Sequence, residues 1–295
     1  MSISNPPLEK KDSRSALRWL TMDRQRLQTL ITLMVLIVML AAFSSLNERF
    51  MTITNMRNVV RNISPLIIAS AAVTPVMIAR GLDLSIGSVL ASAAVLAATL
   101  AVAGVPLWLA FGAGVLLGTA FGVINGLITV YLSVSPIIVT LGTLNIARGV
   151  AYLISPSAIL VGLPQNWSEL GTSSIGPVPT PIVIAGIVFI LFTILMTRTV
   201  FGRHIYAIGG NEETARLSGV NVERTELILY ILSGAMAGLA GVVLASRLGS
   251  GDPNIGVGFE FQVIVAIILG GTSLAGPGEN LSTGDSVDDL FVVTT

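Results

Sequence analysis

Chemistry in a protein chain needs groups that transfer protons, hold a metal or attack a substrate, and this sequence of 295 residues has few of them. It contains no cysteine, which excludes disulfides, thiolate metal sites and a cysteine nucleophile. His204 is the single histidine, reads as an ordinary loop residue, and cannot form a metal site alone. No HExxH, GxSxG or paired-aspartate arrangement occurs in the apolar stretches. No GxxxxGKS/T loop is present to cradle a nucleotide. The sequence therefore assigns this chain no catalytic residue, no metal and no cofactor of its own. No dense basic patch interleaves with aromatics, so nucleic-acid binding has no support.

What remains is a handful of polar groups in apolar surroundings. In Ala79–Ser88 (ARGLDLSIGS), Gly81 is expected to make a turn and Asp83 to cap the next helix. Such a cap is worth about 1 kcal/mol. Arg80 is expected to offset the Asp83 charge. Asn125 lies in an apolar helix and needs a hydrogen-bond partner there. Arg148 stands inside LGTLNIARGVAYLIS. A charge at mid-helix costs roughly 2.5–3.5 kcal/mol on insertion scales, so it must face protein, water or the interface. Asp83, Asn125 and Arg148 are the candidates for a translocation path or gate. A capping role for Asp83 and outward snorkelling for Arg148 are the competing readings.

The longest polar interruption is Arg198–Glu226, with four arginines and four glutamates. Asn211 can N-cap a short helix, with Glu212 and Glu213 in its positive first turn. That helix is predicted to run through Thr214, Ala215, Arg216 and Leu217 and to stop near Gly219. Charge on one side and an apolar edge on the other make it either a solvated connection or a handle for a soluble partner.

The elements that position these groups are membrane helices. The chain is 53% hydrophobic and 11% charged, against roughly 25% charged for soluble domains. The expected fold is all-α, a polytopic helical membrane protein with about 8 hydrophobic segments. They are Leu27–Leu46, Ile63–Ala79 with expected kinks at Pro65 and Pro75, Leu84–Ala103, Leu107–Leu132, Pro136–Ile154, Thr180–Thr197, Glu226–Ala245 and Phe259–Ala275. Phe50–Asn62 reads as a separate interfacial helix. The first segment is too long for a signal-peptide core and lacks a good cleavage site. Residues 1–26 form a basic tail, 27–276 the membrane domain with its loop 198–226, and 277–295 an acidic tail unable to cross a bilayer. With the N-terminus inside, inner segments carry eleven bases and outer ones four, which favours that orientation. Small residues recur every fourth position in the fourth segment, at Ala110, Gly114, Gly118, Gly122 and Gly126, and more briefly at Gly234, Gly238 and Ala245. Such a stripe lets another helix approach closely, either within the chain or from a second copy.

Three stretches carry a family resemblance. GGNEETARLSGV (Gly209–Val220), ARGLDLSIGS and the LGT…RG segment around Arg148 resemble the inner-membrane permeases of bacterial ABC importers, in the ribose, arabinose and xylose branch. Gly249–Glu260 and the following AIILGGTSLAG are similar to the same pattern. The resemblance implies a permease subunit for a monosaccharide in the bacterial inner membrane. It implies that Gly209, Gly210, Asn211, Glu212, Glu213, Ala215, Arg216, Leu217 and Gly219 couple to an ATP-binding subunit, which holds the ATP and Mg. A periplasmic sugar-binding protein, for which Asp252 and Glu260 are candidate contacts with solvated loop charges as the leading alternative, a second permease copy and the lipid bilayer complete the implied partners. The resemblance also raises direct sugar contact by Asp83. A secondary transporter or channel is the rival, disfavoured because so few ionisable groups lie in the spans. Two departures stand out: Arg80 replaces a small residue, and PGENLSTGDSVDDLFVVTT follows SLAG where further spans are expected. A frameshift, a premature stop or a gene-model error is the expected cause of the second, with a functional acidic tail as the alternative.

Overall fold

The computed structural model describes residues 24–155, 159–160 and 162–272. Most of the basic tail 1–26, the end of the eighth segment and the acidic tail 277–295 lie outside the described residues. The chain divides into two units, Met1–Met56 and Arg57–Thr295. In the first, α1 (Arg24–Leu46) covers the expected first segment, of which Leu33–Leu46 counts as a shorter apolar helix among the described residues. In its last turn, Phe43 stacks with Phe50, centroids 5.8 Å apart. The Asn55 side chain donates to the Phe50 carbonyl at 2.7 Å and closes the turn.

The remaining elements are α2 (Ile53–Ile78), α3 (Ile86–Val102), α4 (Leu107–Tyr131), α5 (Pro136–Ile154), a short α6 (Glu169–Thr172), α7 (Thr180–Arg198), α8 (Val200–Gly210), α9 (Glu212–Leu217), α10 (Val222–Leu248) and α11 (Phe259–Leu269). Five of these, α2, α4, α5, α7 and α10, are long and apolar enough to cross a membrane. α3 and α11 are shorter apolar helices. The polytopic helical architecture is as expected, and α5 has the predicted bounds.

Two boundaries differ from expectation. Phe50–Asn62 is not a separate interfacial helix: α2 runs unbroken from Ile53 to Ile78 and contains both Pro65 and Pro75. Nothing between Ile53 and Ser64 breaks a helix, and side-chain polarity does not interrupt a backbone ladder. α11 stops at Leu269, well short of Ala275, where Gly270 and Gly271 (φ 96°) end the helix.

The core forms where α10 lies against α4 and α3. The glycine stripe of α4 is used within the chain, not as a surface between copies. A Cβ at Gly118 would run into the Gly234 carbonyl, one at Gly122 into the Tyr230 carbonyl, and one at Gly238 would come within 2.9 Å of the Gly114 carbonyl. The two backbones therefore touch, which only glycine permits. Away from this seam, Ile138, Ile146, Leu153, Phe189 and Ile190 are exposed along α5 and α7. Apolar surface of that extent suits lipid rather than water.

Loops of the second unit sort to two ends. Residues 79–85, 132–135 and 199–221 meet at one, called here the Arg80 end. At the other, residues 162–179 of the connection after α5 fold as a cap. Trp167 is buried there and donates through Nε1 to the Ala245 carbonyl at 3.2 Å. Ser246 Oγ donates to the Trp167 carbonyl and accepts from the Gly171 amide. A two-stranded turn, β1 (Ser174–Ile175) with β2 (Val178–Pro179), completes this Trp167 end.

Candidate functional site

The polar stretch folds as three capped helices in succession. Thr199 Oγ1 accepts from the Gly202 amide, Asn211 Oδ1 from Thr214, and Asn221 Oδ1 from Arg224. Each side chain satisfies an amide that the first helical turn leaves free. Asn211 thus caps α9 with Glu212 and Glu213 in the first turn, and Gly219 (φ 86°) reverses the chain after it. Ala215 is buried against Ile205, Ile208 and Val222. Glu213 and Leu217 point away, and Leu217 is 81% exposed. Arg216 donates to Glu212 at 3.0 Å and to Glu223. Its hydrogen bonds, to Glu223 first and then Glu212, hold the guanidinium above its ordinary pKa. α9 therefore sits in a fixed pose with one face packed and the other bare.

Arg80 is the second anchor of this loop. Its Nε donates to the Gly209 carbonyl at 2.8 Å and its Nη2 to the Gly210 carbonyl at 3.1 Å. These are last-turn carbonyls of α8, where a cation is favoured. The expectation that Arg80 offsets Asp83 is thus corrected: the carbonyl-rich helix end takes the guanidinium. Arg80 adopts φ 64°, a left-handed conformation uncommon for a residue with a side chain.

Asp83 belongs instead to a buried polar chain. Its Oδ1 accepts from the Ser85 amide at 3.0 Å and the Ser85 hydroxyl at 2.6 Å, and its Oδ2 from the Ser233 hydroxyl at 2.7 Å. Asn125 donates to Ser85 Oγ at 2.9 Å, and Thr143 donates to Asn125 Oδ1 at 2.5 Å. The N-cap position of α3 is Ser85, so Asp83 braces the turn before the helix rather than capping it directly. The network ties that turn to α4, α5 and α10, with every member buried. Ser85, Thr143 and Ser233 are missed by sequence reasoning, because lone hydroxyl residues in apolar helices give no signal of who pairs with whom.

Arg148 lies apart from this network, at the Trp167 end. Its Nη1 donates to the Ile255 carbonyl at 3.0 Å and to the Pro253 carbonyl, while Tyr152 donates to Asn254 at 2.5 Å. The charge faces protein carbonyls instead of snorkelling outward. The three gate candidates therefore form one pair, Asp83 with Asn125, and one separate residue. Glu260, a candidate contact for a binding protein, is only 8% exposed, and its carboxylate packs beside Gly87. A buried carboxylate cannot greet a partner. Asp252 is partly exposed and accepts from the Asn254 amide at 2.8 Å.

Capped loops at one end, an ordered cap at the other and spans between them define a multi-pass helical membrane protein. The chain belongs to the family described as branched-chain amino acid transport system / permease component, whose model matches residues 55–279. It is 39% identical over 265 residues to the ribose import permease protein of Escherichia coli (strain K12), covering 88% of this chain and 82% of that one. It is 37% identical over 276 residues to the D-allose transport system permease protein of the same organism, covering 93% and 82%. It is 38% identical over 244 residues to its L-arabinose transport system permease protein, covering 83% and 74%. No solved structure matches the chain.

Proposed function

We propose that this chain is the membrane permease of an ATP-driven importer for a monosaccharide of the pentose or hexose class. A periplasmic binding protein delivers the sugar, a separate subunit binds and hydrolyses ATP with Mg, and a second permease copy completes the pathway in the inner membrane of a bacterium. The similarity to permeases named for ribose, allose and arabinose supports the substrate class.

The observation that carries the reading is α9. It is rigidly posed by its Asn211 cap, the Arg216 ion pairs and the Arg80 anchor beneath it, yet leaves Glu213 and Leu217 unpartnered. A short helix fixed to the membrane domain on one face and bare on the other suits transmission of a partner's movement. When the ATPase pulls on α9, Arg80 carries the displacement to the turn that holds Asp83, and so to three spans at once.

Co-purification from membranes with the ATP-binding subunit tests this. Wild type is expected to retain the ATPase, and Glu213→Arg to lose it while the folded protein loses at most about 1 kcal/mol, the cost of a cation in the first turn of α9. Retention of the ATPase by the variant would remove α9 from the interface.

A further inference from the structure

At the Arg80 end, a groove of about 360 Å³ opens between α8 and α10. Its walls include Val200, Phe201 and His204 of α8 and Arg224 and Ile228 of α10. Arg224 and Ile228, four residues apart, share one face of α10, while Glu223, Glu226 and Tyr230 share the opposite one. Glu223 is held there by Arg216, and Glu226 and Tyr230 border a separate cavity. No acidic side chain among the described residues lines the groove. Neither the exposed Arg224 guanidinium nor the His204 imidazole forms a hydrogen bond or ion pair among the described residues. Arg198 and Arg203, exposed on the same stretch of chain, add two further cations.

The groove also has a defined depth. α7 and α10 are spans, and it lies where one has ended and the other begins. From Asn221, the cap of α10, to Ile228 it extends about 10 Å along the helix, at 1.5 Å per residue. The headgroup layer on each side of a bilayer is about 5–8 Å thick, so the groove reaches through that layer into the hydrocarbon. Arg224 stands one turn nearer the loops than Ile228, which sets charge above and apolar surface below.

This gradient asks for a ligand with a negative head and an apolar tail. A phosphodiester accepts charge-assisted hydrogen bonds from the guanidinium, and a ring N–H from the imidazole in either charge state. Val200, 55% exposed, offers bare apolar surface beside Phe201 and Ile228. A free inorganic anion leaves that surface uncovered. An acidic protein segment laid along the groove brings unpaired backbone groups to hydrocarbon depth, which is costly.

We propose that the α8–α10 groove binds one anionic phospholipid of the cytoplasmic leaflet, its phosphate held by Arg224 and His204 and its acyl chains against Val200, Phe201 and Ile228. The assignment takes the Arg80 end as cytoplasmic, as the importer reading does, and goes beyond that reading by adding a lipid partner. Because α8 and α10 flank α9, a bound lipid braces both supports of that helix from the membrane side.

Native mass spectrometry of the full-length, detergent-solubilised chain tests this, with equal amounts of phosphatidylglycerol and phosphatidylcholine. Both carry a phosphate, and they differ in net charge. The species with one lipid bound is expected to favour phosphatidylglycerol about fivefold, the preference that one cationic contact confers. Arg224→Gln should remove most of that preference and Arg224→Lys should keep it, with thermal melts checking each fold. His204→Ala, which removes the other donor, should lower the preference independently. Arg57→Gln, which removes an exposed cation one turn from Arg61 at the Trp167 end, should leave it untouched. Equal binding of the two lipids by wild type overturns the proposal, and retention of the ATPase by that same protein keeps the importer reading standing. Displacement of the lipid by glycerophosphoglycerol, the headgroup without chains, overturns it in favour of a simple anion site. Loss of the ATPase from Arg224→Gln with the lipid preference unchanged gives the groove to that subunit instead.

Discussion

Along the α4–α10 pair, two neighbouring regions solve opposite problems. From Gly114 to Gly122, α4 meets Gly234 and Gly238 with no side chain between the backbones. Two turns further along α4, Thr129 stands near Tyr230, and the same helices part to leave a polar cavity. Close contact needs residues without a Cβ, while an opening needs larger side chains that hold the backbones apart. The seam is intolerant of added atoms and satisfied in its polar groups. The pocket, by contrast, has room to spare. Stability in this molecule therefore resides in the seam and the Asp83 network, and movable, recognisable surface at the Arg80 end.

The comparison can be broken most severely at the seam. Gly118→Leu drives a side chain into the Gly234 carbonyl and should destabilise the protein by about 3 kcal/mol, toward the upper end for overpacking. The detergent-solubilised protein should lose its folded elution position and its cooperative melt. A melt like that of wild type would show that α4 and α10 do not touch there.

A smaller effect is expected in the buried network. Asp83→Ala leaves the Ser85 amide and the Ser85 and Ser233 hydroxyls without their acceptor, at a cost of about 2 kcal/mol. A lower melting temperature with the fold retained is the expected readout. An unchanged melt would mean that those hydroxyls find other partners.

The smallest of the three sharpens the contrast at Arg80. Arg80→Gly keeps the left-handed backbone at ease and removes only the two hydrogen bonds to Gly209 and Gly210, worth about 1 kcal/mol. Arg80→Ala loses the same bonds but retains the backbone cost. The glycine variant should melt at or above the alanine variant, yet both should transport poorly if Arg80 carries motion from α9. Wild-type uptake by Arg80→Gly would free Arg80 from that role.

Much of the α8–α10 loop was readable in advance because its signals are local. Asn211, the two glutamates after it and Gly219 act within one or two turns, so residue type and spacing suffice to place a capped helix. The spans were likewise legible from continuous apolar length, most clearly Pro136–Ile154. The error at Phe50–Asn62 arose because polarity was taken as a boundary, whereas helix boundaries are set by breakers and caps. The partner of Arg80 was misjudged for another reason. A charged side chain goes to whichever opposite field the folded chain brings closest, and carbonyls from distant segments carry no mark in sequence.

By itself, then, the sequence determined that this is a helical membrane protein with a capped polar helix between two spans. Those properties follow from composition and short-range order, which need no knowledge of neighbours. Only the tertiary structure decided that the glycine stripe closes on α10, that Asp83 joins Asn125 through Ser85, and that Tyr230, Thr129 and Glu226 border one cavity. Each of these pairs residues far apart in the chain, and what meets across such distances is settled by how the helices pack.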